Sequence, residues 1–145
     1  MIYFDTNYIL KCYLTERGSP EARIVFQQNA GNIACSRLGR VEWHATIRRK
    51  LLTNALSAAD VRRIRTLMDE DEVAGLWTWL PFNDALLEGL ARWLRTTEFI
   101  GVLKTLDAVH LESARLGGIT DIYSNDRQVK AAAPTFGLVA NDVIP

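Results

Sequence analysis

Short apolar runs separated by amphipathic segments set the pattern of this chain. Five such runs predict strands, at residues 2–4, 32–35, 76–80, 121–124 and 137–140. Between them, apolar residues recur every three or four positions, which predicts helices. Because strands and helices alternate, the sequence predicts a three-layer α/β/α fold on a central parallel sheet of four to five short strands. No repeat or linker interrupts the pattern, so residues 1–145 are predicted to form one domain.

Polar residues with side-chain oxygens precede most of these amphipathic segments and predict where the helices begin. Such side chains accept hydrogen bonds from the free N–H groups of a first helical turn. The predicted caps are Thr6 or Asn7, Ser19 (followed by Pro20), Ser36, Ser57, Asn83 and Thr105. Asp60, three residues after Ser57, completes a capping box with Asp in place of the usual Glu.

The composition is that of an ordinary globular protein and excludes several classes. Seventeen basic residues balance seventeen acidic ones, so no net charge draws the chain to nucleic acid or to a membrane. Cys12 and Cys35 lack the spacing of a metal site and are predicted to stay reduced. The sequence shows no signal-peptide pattern and no apolar run of the ~20 residues that span a bilayer. The predicted location is therefore the cytoplasm, without membrane contact.

Four acidic residues carry the candidate chemistry: Asp5, Glu42, Asp107 and Asp126. Asp5 and Asp126 directly follow predicted strands, and Asp107 lies near the start of a predicted helix. Open parallel sheets bind ligands outside the carboxyl ends of their strands, so these three side chains are expected at one rim. Carboxylates brought together repel, and burial disfavours their charged form. A cluster of four is therefore predicted to hold a hard divalent cation.

Glu42 is expected to reach this rim from the inward face of its helix. Leu38, Val41, Ala45 and Leu52 follow helical spacing and are predicted to form the buried stripe of that helix. Glu42 comes four residues after Leu38, which places it on or beside the stripe. An acid in such a position is costly unless an ion pair or a metal compensates its charge.

Each acid also has a purely structural interpretation. Asp5 suits an Asx turn at a strand end, Asp126 suits a helix cap, and Asp107 in a first turn is favoured by the helix dipole alone. Two arginines farther along its helix are alternative partners for Glu42: Arg48 and Arg49. His110 lies one turn after Asp107. It is predicted to be a half-buried packing residue, and a role as hydrogen-bond donor to the acids is the less favoured alternative. Four independent structural roles would all have to place an acid at the same rim by chance. The sequence therefore favours a shared site.

The motifs around these acids resemble those of PIN-domain ribonucleases, in the same order. They are Phe4-Asp5-Thr6-Asn7, Ser36-x-Leu38-x-x-Val41-Glu42, Leu106-Asp107-Ala108-Val109-His110-Leu111 and Ser124-Asn125-Asp126. The order and spacing extend over nearly the whole chain, whose length is similar to that of VapC-type toxins of prokaryotic toxin–antitoxin pairs. Two features depart from the family pattern. Ser124 stands where many relatives carry Thr, and residues 57–79 match none of the motifs.

The resemblance implies a PIN fold and a Mg²⁺- or Mn²⁺-dependent endoribonuclease that hydrolyses RNA with metal-activated water. It also implies a homodimer and a cognate antitoxin protein whose tail covers the active site. Because Mg²⁺ usually takes only one or two carboxylates, Asp5 and Asp107 are expected to bind it directly. Asp126 and Glu42 are expected to act through water or to hold a second ion. Three residues are expected to support these acids: Thr6, Asn7 and Ser124.

Local positive charge is expected to bind the RNA, since the whole chain is neutral. Between residues 37 and 65, eight basic residues outnumber two acidic ones. Arg37 and Arg40 lie near the predicted start of the Glu42 helix and are predicted to bind phosphates beside the scissile one. The arginines farther along this segment are predicted to form a solvated face or a partner surface.

Three other functions compete with a nuclease toxin. A haloacid-dehalogenase-type phosphatase also begins with a strand that ends in Asp, but it needs a second Asp two residues later, where this chain has Asn7. A non-catalytic PIN-like module would bind RNA or protein without cutting it. A nuclease of RNA processing would carry the same acids without acting as a toxin.

Overall fold

The computed structural model describes residues 1 to 145. Its strands are β1 (Ile2–Phe4), β2 (Ile33–Ser36), β3 (Trp77–Leu80), β4 (Asp121–Tyr123) and β5 (Val139–Asn141). Its helices are α1 (Thr6–Tyr13), α2 (Ser19–Gln28), α3 (Arg37–Leu52), α4 (Ala58–Val73), α5 (Asp84–Thr96), α6 (Thr105–Leu116) and α7 (Arg127–Ala132). A 3₁₀ turn (Ala133–Phe136) links α7 to β5. None of these helices combines the length and the apolar character needed to cross a membrane.

All five strands run parallel in one sheet, in the order β3-β2-β1-β4-β5. β1 lies in the middle, with Ile2 opposite Ile33 on β2 and Tyr3 opposite Ile122 on β4. The chain first winds outward through β2 and β3, and later through β4 and β5 on the other side. Parallel neighbours need crossover connections, which the helices supply on both faces. The predicted α/β/α fold with a central parallel sheet of short strands is confirmed.

The middle of the sheet is the most deeply buried part of the protein. Tyr3, Phe4, Ile33 and Ile122 are fully buried, as expected for strands that helices cover on both faces. They belong to one continuous apolar cluster that includes residues of the surrounding helices. The residue that follows β1, Asp5, is therefore attached to a strand whose last two residues, Tyr3 and Phe4, are fully buried.

Three of the six predicted caps are confirmed. Ser36 caps α3 and Asn83 caps α5, each through its side-chain oxygen. Ser57 and Asp60 form the predicted capping box of α4. Ser19 is wrong as a cap, because it is the first residue of α2 and follows a glycine in the left-handed conformation.

Two other helix starts differ from the prediction, and both lie next to candidate site residues. Asp5 caps α1 instead of Thr6 or Asn7, since its Oδ1 accepts the main-chain N–H three residues later at 2.9 Å. Lys104 precedes α6 without a side-chain cap, so Thr105 is the first helical residue. In both cases the helix starts earlier than predicted, by one residue in α6 and by one or two residues in α1.

The buried stripe of α3 is not the predicted one. Of the four predicted residues only Leu38 packs against the core, half-buried. Val41 is 63% exposed, Leu52 is 68% exposed and Ala45 is also exposed. The buried residues are Gly39, Trp43 and Ile47. The prediction was based on the spacing of apolar side chains. However, α3 approaches its neighbours so closely that the contact requires a residue without a side chain. A Cβ on Gly39 would collide with side chains of β2 and α6. The helix is therefore rotated so that its glycine faces inward.

Candidate active site

The acidic residues meet at the carboxyl end of the sheet, where the strand order reverses. Asp5 follows β1 and caps α1, and Asp126 follows β4 and caps α7. Asp107 lies in the first turn of α6, and Glu42 lies in the second turn of α3. β1 and β4 are neighbours whose connections leave in opposite directions. Open parallel sheets bind their ligands at this kind of position.

Three of the four acids line one cavity of about 130 Å³, which we name the acid cavity. Its lining residues are Asp5, Thr6, Asn7, Leu10, Glu42, Thr46, Asp107 and His110. Asp126 does not line it, but its charge is near enough to raise the pKa of Asp107. The structure therefore brings Asp5, Glu42 and Asp107 together and places Asp126 beside them.

Burial and mutual repulsion make the acid cavity unfavourable for negative charge. Asp5 is only 5% exposed, and this burial raises its pKa, with a further contribution from the charge of Asp107. Burial likewise raises the pKa of Asp107, and the charge of Asp126 adds to it. His110 acts in the opposite direction on both carboxyl groups. A divalent cation would relieve the same repulsion, so this donor set suits one.

Main-chain N–H groups and a buried hydroxyl orient Asp5 and Asp126. Oδ1 of Asp5 accepts the N–H of Tyr8 at 2.9 Å, and Oδ1 of Asp126 accepts that of Gln128 at 2.7 Å. Ser124 is fully buried, and its Oγ accepts the N–H of Asp126 at 3.1 Å. Its hydroxyl also lowers the pKa of Asp5, against the larger effect of burial. Ser124 thus lies between the two acids that follow β1 and β4.

Glu42 is held by two donors from different helices. Its Oε2 accepts the Thr6 hydroxyl at 2.5 Å and lies 2.8 Å from Nε2 of His110. Burial alone would raise the pKa of Glu42, but His110 and Thr6 outweigh it, so the pKa is lowered. Burial alone would lower the pKa of His110, but Cys35 and Glu42 raise it to about 10. The partner of Glu42 is this histidine, and neither of the arginines farther along α3 pairs with it.

The donor set fits a cation that is held by few protein ligands. No three His, Cys, Asp or Glu side chains stand close enough to hold one metal ion jointly. Mg²⁺ is usually bound by one or two carboxylates, and water completes its coordination. Asp5 is buried and Asp107 is half-buried, and the charge of Asp107 raises the pKa of Asp5, so these two acids suit this arrangement.

Arg37 and Arg40 lie at a different cavity. That cavity measures about 460 Å³ and is lined by Arg37, Arg40, Val41, His44, Glu72, Trp77 and Trp79. Arg40 donates to both carboxylate oxygens of Glu72, at 2.5 and 2.8 Å. None of these residues lines the acid cavity. Binding of RNA by Arg37 and Arg40 stays a prediction, and it would involve the face of α3 that points away from Glu42.

Sequence reasoning missed Tyr3 and underestimated His110. The hydroxyl of Tyr3 accepts the N–H of Ser36 at 2.9 Å and lies 2.7 Å from Nδ1 of His110. His110 is buried, as predicted, but it also contacts Glu42. Two signals pointed to this network: His110 shares a helix face with Asp107, and a phenol in a buried strand needs a polar partner. Two other lining residues had no sequence signal: Leu10 and Thr46.

The family of the chain follows from comparison with known sequences. The PIN domain family model matches residues 2–134, a segment that includes all four acidic positions, and the chain belongs to this family. No match was found among curated proteins.

Two solved structures have a similar fold. VapC20 of Mycobacterium tuberculosis, a Sarcin-Ricin loop cleaving toxin, aligns with a TM-score of 0.70 at 15% identity over 91% of this chain and 95% of its own. VapBC2 of Rickettsia felis, solved with a DNA fragment from its promoter, aligns with a TM-score of 0.61 at 14% identity over 98% of each chain. At these identities the similarity shows a shared fold.

Proposed function

We propose that this PIN-domain protein is a metal-dependent endoribonuclease that hydrolyses RNA phosphodiester bonds. The acid cavity is the observation that carries the proposal, because Asp5, Glu42 and Asp107 line one small space at the ligand-binding end of a PIN fold. Burial raises the pKa of both Asp5 and Asp107. Acids in such surroundings are unfavourable in the folded protein unless a cation compensates their charge.

The acids would share the task of holding Mg²⁺ or Mn²⁺. Asp5 and Asp107 would bind the ion directly, and Asp126 and Glu42 would act through water or with a second ion. When bound, such an ion polarises a phosphoryl oxygen and lowers the pKa of a bound water. The residues of the chain orient the phosphodiester and the attacking water, and no side chain serves as the nucleophile.

Three polar residues would support the acids. The Thr6 hydroxyl donates to Glu42, and Ser124 lies between Asp5 and Asp126. Asn7 lines the acid cavity with an uncharged amide, and it suits a hydrogen bond to the substrate or to water. Arg37 and Arg40 would bind RNA farther from the reacting phosphate, with part of the charge of Arg40 neutralised by Glu72.

We also propose that the protein acts in the cytoplasm as the toxin of a type II toxin–antitoxin pair. The fold shared with VapC20 and VapBC2 supports this role. The protein would form a homodimer, and an antitoxin would cover the acid cavity. Apolar side chains in the segment that precedes Asp107 are available to such partners, since Ile100 is fully exposed, Val102 is 80% exposed and Leu106 is 48% exposed. Light scattering and co-purification with the product of a neighbouring gene test these assemblies.

An endonuclease assay with Mn²⁺ and structured RNA tests the proposed activity. The protein is expected to produce fragments with 5′-phosphate and 3′-hydroxyl ends, whereas Asp5→Asn is expected to produce none. Asp84→Asn is the matched control, because it removes the same charge from an exposed position in the first turn of α5. Chelation of the metal should stop cleavage by the wild-type protein and by the control.

Each alternative function predicts a different result. Equal cleavage by wild type and Asp5→Asn would indicate a contaminating nuclease. RNA binding without cleavage in any divalent metal would favour a non-catalytic module. A phosphorylated form of Asp5 trapped during turnover would favour a phosphatase. End-mapping of cellular RNA fragments after brief expression would separate a toxin from a processing nuclease by the class of RNA that is cut.

A further inference from the structure

We propose that Tyr3 and His110 are positioning residues, which hold Oε2 of Glu42 and leave Oε1 for a cation or for its water. The inference rests on the proposed function, because it assigns Glu42 a task in holding an ion. Tyr3 lies on the central strand, behind His110, and does not line the acid cavity. Its hydroxyl reaches Glu42 through the imidazole of His110.

The main-chain N–H of Ser36 sets the direction of these hydrogen bonds. It donates to the Tyr3 hydroxyl at 2.9 Å, and that hydroxyl lies 2.7 Å from Nδ1 of His110. If the imidazole is neutral, the hydroxyl donates to Nδ1 and the ring proton sits on Nε2. If it is charged, both nitrogens carry protons. In either state Nε2 donates to Oε2 of Glu42, 2.8 Å away. The other neutral tautomer would set a lone pair of Nε2 against the carboxylate, so it is excluded.

Both protein donors to Glu42 reach the same oxygen. The Thr6 hydroxyl donates to Oε2 at 2.5 Å, and Nε2 of His110 donates to it at 2.8 Å. Oε1 receives no protein hydrogen bond, although Glu42 lines the acid cavity. A carboxylate held through one oxygen presents the other in a fixed direction, as hydrogen-bond partners behind metal ligands do in other proteins.

The surroundings of the two positioning residues leave them little freedom. Tyr3 is 0% exposed and His110 is 4% exposed. A Cβ on Gly39 would lie 3.0 Å from Cε1 of His110 and 3.3 Å from Oγ1 of Thr6. The helix that carries Glu42 therefore packs directly onto both side chains that hold its carboxylate. Because the Glu42 side chain is already held in place, it loses less conformational entropy when the ion binds.

Binding of Mn²⁺ to the RNA-free protein tests this role without any turnover. His110→Leu removes the donor, whereas His110→Gln retains an N–H near the position of Nε2. We expect the Kd for Mn²⁺ to rise ~10–100-fold in His110→Leu, to be largely restored in His110→Gln, and to rise to a smaller extent in Tyr3→Phe. His44→Leu is the matched control, because His44 lines the separate cavity, and it should leave the Kd unchanged.

A Glu42→Gln background separates positioning from general damage to the fold. If His110 acts through Glu42, then His110→Leu should change the Kd of the Glu42→Gln protein by less than about 2-fold. An equal loss in both backgrounds overturns the positioning role, and so does wild-type affinity in His110→Leu. A wild-type protein that binds no Mn²⁺ overturns the proposed function and this inference with it. If His110→Leu does not fold, Tyr3→Phe is compared in the same two backgrounds.

Discussion

Gly39→Ala tests how α3 is seated over the acid cavity. The new Cβ would lie under 3.0 Å from Sγ of Cys35, 3.0 Å from Cε1 of His110 and 3.3 Å from Oγ1 of Thr6. Favourable contacts between carbon atoms occur at about 3.5–4.0 Å. Cys35 and His110 are both buried and have little room to move. We therefore expect α3 to shift outward and to carry Glu42, one turn later, with it.

Two opposing effects set the expected change in the free energy of unfolding. Overpacking a well-packed core destabilises a protein by about 1–3 kcal/mol. Alanine in place of glycine within a helix contributes ~1 kcal/mol in the other direction. Because the contact with Sγ of Cys35 is so close, overpacking should cost about 2–3 kcal/mol, and we expect a net loss of about 1–2 kcal/mol. For a protein of this size, that loss lowers the melting temperature by roughly 3–6 °C.

Thermal unfolding in the presence of a chelator measures this loss, and Mn²⁺ affinity reports the shift of Glu42. Ala45→Gly, at an exposed position of α3, calibrates the helix-propensity effect in the same helix. Gly39→Ala combined with Cys35→Ala removes the nearest obstacle and should recover part of the melting temperature. A Gly39→Ala protein with wild-type melting temperature and wild-type Mn²⁺ affinity would refute the reasoning.

Three further predictions follow from the charges of the structure. Mg²⁺ at one hundred times its Kd should stabilise the protein by about 2.7 kcal/mol, and Asp107→Asn should reduce this gain, as melting curves over a Mg²⁺ titration would show. Without metal, Asp5→Asn should raise the melting temperature at neutral pH, because burial raises the pKa of Asp5. Folding then favours the protonated acid, so the difference should vanish as the pH falls below ~4. Arg115→Ala should destabilise the protein by about 2 kcal/mol in urea unfolding, because Glu112, 1% exposed, loses two hydrogen bonds of 2.7 Å to a half-exposed guanidinium.

Each of these predictions has a result that contradicts it. A melting curve that millimolar Mg²⁺ does not move would contradict the cation site. An Asp5→Asn protein with a melting temperature below that of wild type at neutral pH would show that burial of the charged Asp5 carboxylate does not destabilise the protein. If Arg115→Ala lowers the free energy of unfolding by less than ~1 kcal/mol, the ion pair between Arg115 and Glu112 contributes no more than an ordinary surface ion pair. Glu112→Gln in the same protein should recover stability, because a buried amide carries no charge.

The fold class was predictable because each strand and helix carries a local signature. β1 and β2 are short apolar runs, and Ser36, Ser57 and Asn83 all cap helices as their side-chain oxygens predict. Alternation of strands and helices then restricts the topology to a parallel sheet with crossover helices. Local patterns are sufficient here because hydrogen bonding of caps and burial of strands depend mostly on neighbouring residues.

The rotation of α3 was not predictable from the same patterns. Val41 and Leu52 are apolar, yet both are exposed, whereas Gly39 is buried against β2 and α6. A glycine has no apolar side chain to count, so periodicity gives it no weight. Its role depends on how closely the side chains of Cys35 and His110 approach it. His110 lies in α6, far away in the sequence, and Cys35 is close in sequence but belongs to β2, so their approach follows from how α3 packs on the sheet and on α6.

The amino-acid sequence by itself determined which acids this protein carries, their order, and the strand and helix ends on which they lie. Only the tertiary structure decided that Asp5, Glu42 and Asp107 line a common cavity while Asp126 lies beside it. The structure also decided that His110 and Thr6 hold one oxygen of Glu42 and leave the other free. These two hydrogen bonds join residues 36 and 68 positions apart, so they depend on the packing of whole helices and not on any local pattern.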